Sequence, residues 1–88
     1  MTKDDVVRKN LDLHAEWMKY AFENPKVLEK IPPDAELIIL PIDDPELYEY
    51  NRETGNKIIL QGRRVVFAKM KKPKISTPKV ELISASQS

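Results

Sequence analysis

Glu46-Leu47-Tyr48-Glu49-Tyr50-Asn51-Arg52-Glu53-Thr54-Gly55-Asn56-Lys57-Ile58-Ile59-Leu60-Gln61, residues 46–61, is the stretch on which the fold turns. Two readings compete for it. Leu47, Tyr50/Asn51, Thr54 and Ile58 share one face of a helix, and Gly62 stands where a helix-ending glycine belongs. Against this, Thr54-Gly55-Asn56 is turn-like, and Ile58-Ile59-Leu60 could be a strand. That strand would pair with the following segment as a hairpin through Gln61-Gly62-Arg63. The residues just upstream tip the choice. Asp43 or Asp44 offers a capping carboxylate, Pro45 suits the first helical position, and Glu46 can complete a capping box. The prediction is a helix, at a cost of about 1 kcal/mol for Gly55 relative to alanine, with the hairpin as the alternative over 54–61.

Working outward, Glu36-Leu37-Ile38-Ile39-Leu40 is a near-continuous apolar run that predicts a strand buried on both faces, stopped by Pro41 and Pro45. Downstream, Arg64-Val65-Val66-Phe67-Ala68-Lys69-Met70 predicts a second strand. Strand, helix, strand is a right-handed βαβ unit with parallel strands. Before it, apolar residues recur from Val6 to Glu23 at helical spacing: Val7, Leu11, His14/Ala15, Met18 and Ala21/Phe22. This reads as an amphipathic helix with that stripe buried, capped by Asp4 or Asp5. Asn24-Pro25 ends it and opens a short second helix, Pro25 to Lys30, before Pro32-Pro33-Asp34 interrupts the chain. The expected fold class is α/β: a small α-α-β-α-β domain with a mostly parallel sheet. The expected organisation is a single domain over 1–72 and a basic, serine-rich tail over 73–88. Within the tail, Lys79 to Ile83 can form an extra edge strand, while Ser84 to Ser88 has nothing to bury.

With 88 residues the chain has room for one core, and a domain of this size has a thin stability margin. It contains no cysteine, which excludes disulfides, thiolate metal sites and thiol nucleophiles. Self-association is then the expected support. No apolar run approaches the roughly 20 residues of a membrane span, and the N-terminus does not read as a secretory signal. A cytoplasmic location and no membrane partner are expected.

A net charge of +1 conceals a polarity. Residues 29–62 carry eight acids against Lys30, Arg52 and Lys57, whereas residues 63–88 carry seven bases and only Glu81. Such a division suits either a nucleic-acid tail or surfaces that complement each other between subunits. Two glycines cannot build a Walker loop or a dinucleotide fingerprint. One histidine and no cysteine make a tetrahedral zinc site improbable. All four serines fall in the last 13 residues, so a Ser-His-Asp arrangement would need the tail to reach His14. No catalytic residue, metal or cofactor is expected.

Several residues can nonetheless carry chemistry. Asp43 and Asp44 lie just past the C-terminal end of a predicted parallel strand, where α/β sheets bind ligands, and paired carboxylates suit Mg²⁺. Capping of the next helix explains one of them without a ligand. Asn51 and His14 complete the candidate ligand set, although a histidine on an apolar face is more often a satisfied structural group. Arg63, Arg64, Lys69, Lys71, Lys72 and Lys74 form the candidate nucleic-acid set, with Lys79 beyond it. Only Phe67 interleaves with them, and lysines that protect a sheet edge account for the run equally well. Nucleic acid is therefore not the expected partner. Trp17 and Tyr20 lie beside the main stripe of the first helix and mark a candidate subunit interface.

Glu23-Asn24-Pro25, Ile31-Pro32, Ala35-Glu36-Leu37-Ile38-Ile39-Leu40-Pro41, Asp43-Asp44-Pro45-Glu46-Leu47 and Tyr50-Asn51 together resemble a prokaryotic family of small proteins, domain-of-unknown-function family 5647. The resemblance spans roughly residues 14–70 and is densest from Leu40-Pro41 to Asn51. It implies a helix ending in glycine followed by a valine-rich strand, which agrees with the helical reading of 46–61. Thr54-Gly55-Asn56 departs from the regular helix the resemblance would imply. It implies no activity, substrate or catalytic residue. The leading expectation is a non-enzymatic interaction module that pairs with itself as a homodimer or with another protein. The alternatives are a small-ligand or Mg²⁺ site at the strand ends, or nucleic-acid binding by the basic end.

Overall fold

A computed structural model describes residues 1–71 and 80–86, and in it residues 46–61 are helical rather than a hairpin. Helix α1 (Lys3–Glu23) leads into a 3₁₀ helix (Pro25–Lys30), strand β1 (Ala35–Pro41), helix α2 (Pro45–Leu60), and strands β2 (Arg64–Met70) and β3 (Val80–Ser86). Among the described residues, no helix is long and apolar enough to cross a membrane.

Local chemistry sets the helix ends. Thr2, not Asp4 or Asp5, caps α1: its hydroxyl accepts from the Asp5 N–H at 3.1 Å, and Asp5 accepts from the Thr2 N–H in return. The capping box expected at Glu46 thus belongs to α1. α2 is capped by Asp44 alone, which accepts from the Leu47 N–H at 3.2 Å, with Pro45 in the first turn. Gly62 ends α2 at φ 82°, and a side chain is disfavoured there. Its N–H reaches the Ile59 carbonyl and the Arg63 N–H reaches Ile58, the paired bonds of a Schellman ending.

The sheet has the order β1-β2-β3. β1 and β2 are parallel, with Ile38 opposite Phe67, and β3 runs antiparallel to β2, with Ile83 opposite Phe67. It is therefore mixed rather than mostly parallel. β3 extends to Ser86, past the expected end at Ile83, because Ser84, Ala85 and Ser86 find ladder partners in Val66, Val65 and Arg64.

Side chains alternate across the sheet into two clusters. Leu37, Ile39, Ala68, Met70, Val80 and Leu82 pack with Val6, Leu13, Trp17, Tyr20, Ala21, Val27 and Leu47. Ile38, Leu40, Val65, Phe67 and Ala85 pack with Tyr48, Ile58 and Ile59 of α2. α1 and the 3₁₀ helix thus cover one face and α2 most of the other. β2 is the central strand and carries the fully buried Val65, Val66, Ala68 and Met70. β1 lies at an edge, so its first four residues are only half-buried, contrary to the expectation of a strand buried throughout.

The packing of α1 corrects the expected stripe. Val6, Leu13, Trp17 and Ala21 are the buried residues, with Trp17 and Tyr20 rings 5.8 Å apart. Val7, Leu11, Met18 and Phe22 face outward instead. On α2 the buried positions are Leu47, Asn51 and Gly55, so Gly55 rather than Thr54 completes the inner face, and Tyr50 is half exposed.

Candidate functional site

The four candidate ligand residues do not meet in one place. Asp43 and Asp44 border a cleft of about 200 Å³ at the C-terminal end of β1, together with Lys9, Asp12, Leu13, Pro41 and Leu47. His14 and Asn51 border a separate groove of about 160 Å³ along β1, with Asn10, Leu37, Ile38, Ile39, Tyr50 and Thr54.

In the first cleft both Asp44 oxygens are engaged. One caps α2, and the other accepts from the Lys9 ammonium at 3.0 Å. The Lys9 hydrogen bond holds the Asp44 carboxyl below its usual range; burial works against this and the Leu47 N–H adds to it. Asp44 in turn raises Lys9. The pair pins α1 to the start of α2. Asp43 is exposed, and no cluster of three or more metal-ligating side chains exists among the described residues.

In the groove, Asn51 is the one buried polar residue among those described, at 5% exposure. Its amide donates to the Ile39 carbonyl at 2.9 Å and to Asn10 Oδ1 at 2.7 Å, and its oxygen accepts from Asn10 at 3.2 Å. The two asparagines clasp α1 to α2, and Asn51 satisfies a carbonyl of edge strand β1. This is a structural use of the amide. Indeed no buried side-chain polar atom among the described residues lacks a partner. His14 is exposed and sits on the rim.

The candidate nucleic-acid residues are partly neutralised within the chain. Arg63 pairs with Glu36, and Arg64 lies 3.5 Å from Asp34. Lys69 stands opposite Glu81 across β2 and β3, and Lys71 is exposed. Lys72, Lys74 and Lys79 lie outside the described residues. Part of the acidic middle therefore meets the basic end inside one molecule, because the parallel register brings the starts of β1 and β2 together.

The candidate interface also changes. Trp17, at 4% exposure, is spent in the chain's own core, and Tyr20 packs half-buried against that core. The open surface of α1 is the stripe expected to be buried: Val7 is 53% exposed, Leu11 and Met18 65%, and Phe22 90%. The sequence reading placed Val7, Leu11, Met18 and Phe22 in the buried stripe and Trp17 and Tyr20 beside it, whereas of its expected stripe only Ala21 is buried. The missed signal was size. Burying Trp17 and Tyr20 removes more apolar area than burying Val7 and Met18, and the gain scales with area.

A family model described as "Family of unknown function (DUF5647)" matches residues 5–82, and the chain belongs to that family. No curated protein and no solved structure matches it.

Proposed function

We propose that this member of a family of unknown function is a non-enzymatic interaction module that associates with a second copy of itself through the outer face of α1. The observation that supports the reading is the row Val7, Leu11, Met18 and Phe22, exposed along the 21-residue helix. Scattered exposed apolar residues are ordinary on a protein surface, whereas a contiguous row at helical spacing is what interfaces are made of. A small core that gains stability from a second subunit points the same way. The absence of cysteine is compatible with work in a reducing cytoplasm. We take the β1–α2–β2 crossover to be right-handed, as nearly all such connections are.

The test is the solution mass by light scattering from about 1 to 200 μM. Twice the 10.2 kDa of one chain at the upper end supports the reading. The Leu11→Glu variant should remain folded and run as a monomer. A wild-type monomer throughout the range overturns the self-association claim.

A second reading rests on the cleft beside Asp43, at the strand end where α/β sheets bind ligands. It predicts a thermal shift with Mg²⁺ or a small anion that Asp43→Asn abolishes. The Lys9–Asp44 pair already occupies the cleft wall, so this reading ranks second.

A further inference from the structure

The row on α1 is symmetric about its own centre. Val7 and Phe22 lie equally far from the midpoint between His14 and Ala15, and so do Leu11 and Met18. At 100° per residue all six positions fall within about 100° of the helix circumference. Their direction is roughly 120° away from that of the buried Val6, Leu13 and Trp17. A partner helix can therefore lie along the row without meeting the sheet.

Resting on the self-association reading, we propose a specific geometry: two copies pair α1 against α1 in antiparallel orientation, on a two-fold axis between His14 and Ala15. An isologous interface needs a surface complementary to itself, and a row that reads the same from both ends meets that condition. Antiparallel pairing places Val7 against Phe22 of the second copy and Leu11 against Met18. Each contact then joins one smaller and one larger side chain at two ends of the seam, while the small Ala15 allows close approach at the axis.

Charge favours the same direction. Asp12 and Lys19 are exposed on one long side of the row. A two-fold axis perpendicular to the helices brings that side of one copy beside the same side of the other. In the antiparallel pair, Asp12 comes within about 3 Å, along the helix axis, of the level of Lys19 in the second copy, twice by symmetry. A parallel pair, with its two-fold axis along the helices, would instead put the Asp12 and Lys19 sides of the two copies on opposite sides of the seam, where no such bridge forms. Lys19 also reaches Glu16 of its own chain at 3.4 Å, a weak contact that leaves its ammonium able to bridge.

The natural lack of cysteine makes the geometry directly testable by cross-linking. Single variants Leu11→Cys, Ala15→Cys and Met18→Cys are prepared at exposed positions and oxidised alone or mixed. The antiparallel pair predicts a disulfide dimer for Ala15→Cys alone and for Leu11→Cys mixed with Met18→Cys. Leu11→Cys alone should not cross-link, because its two copies would stand roughly 10 Å apart along the axis. Asp12→Lys should weaken the wild-type dimer about fivefold, and the Asp12→Lys/Lys19→Asp double variant should restore it.

The outcomes separate the two claims. A dimer that cross-links through Leu11→Cys alone overturns the antiparallel geometry and leaves self-association standing. A dimer with none of these cross-links overturns the assignment of the interface to α1. A monomer by light scattering overturns both. Wild-type-like Trp17 fluorescence in each variant shows that the fold is intact.

Discussion

The ring of Phe67 lies against the backbone of Gly55. A β-carbon built on that glycine would stand 2.6 Å from Phe67 Cζ and 3.5 Å from Ile38 Cγ1. A glycine that reads as a helix defect is thus a point of close approach between α2 and the sheet, and Phe67 fills the room it leaves.

Gly55→Ala is expected to lower stability by about 1 kcal/mol. The helix gains about 1 kcal/mol in propensity, and overpacking against Phe67 costs about 2 kcal/mol. In a Phe67→Leu background the same change should be neutral or stabilising. Urea denaturation of the four proteins checks this, and equal effects in both backgrounds would show that the ring is not the obstacle.

Asn51→Ala should cost about 2 kcal/mol, because it leaves the Ile39 carbonyl and the Asn10 amide without their partner. Asn10→Ala should cost less, as Asn10 is only part-buried and water can replace it. The double variant should be little worse than Asn51→Ala. Such non-additivity in a double-mutant cycle is the signature of the clasp.

The two faces of α1 should respond oppositely to truncation. Trp17→Ala removes a core side chain and should cost 3–5 kcal/mol, approximately the whole stability of a domain this small. Leu11→Ser should change monomer stability by less than about 0.5 kcal/mol when measured below the dimer dissociation constant. At high concentration Leu11→Ser should lower the apparent stability, since it would remove the contribution of the proposed pairing through α1.

Acid should weaken the domain through Asp44. Its carboxyl, held low first by Lys9, contributes stability that is present above the unfolded-state value of about 3.9. That contribution is lost as pH falls through the lower folded-state value. Asp5, held low by Thr2, acts in the same sense. Asp44→Asn should flatten the fall in thermal midpoint as pH drops below about 3.9 while lowering the midpoint at neutral pH. At the alkaline end, Lys9 is raised by Asp44, so its share is retained below about pH 10.4 and lost above it.

Elements whose signals lie within a few residues of one another were legible. Asp44-Pro45 starts α2, Gly62 at φ 82° ends it, and Asn24-Pro25 separates α1 from the 3₁₀ helix. The Ile-rich and Val-rich runs are the strands expected of them, and the helix between them makes their pairing parallel. The same locality explains the small errors. Asp44 was one of two capping candidates, and the cap of α1 is Thr2, two residues before the expected Asp4; only backbone geometry chooses among polar residues so close together.

The candidate site was less legible, because its residues are related only through the fold. Asn51 finds Asn10 across 41 residues, Lys9 finds Asp44 across 35, and Arg63 finds Glu36 by strand register. The sequence by itself determined which segments are helix and strand, since capping, proline geometry and apolar period act over a few residues. Only the tertiary structure decided which comb of α1 is buried, why Gly55 stands in a helix, and which charges are neutralised within the chain. Each depends on total apolar area and close approach summed over segments distant in the chain, and no local pattern carries that sum.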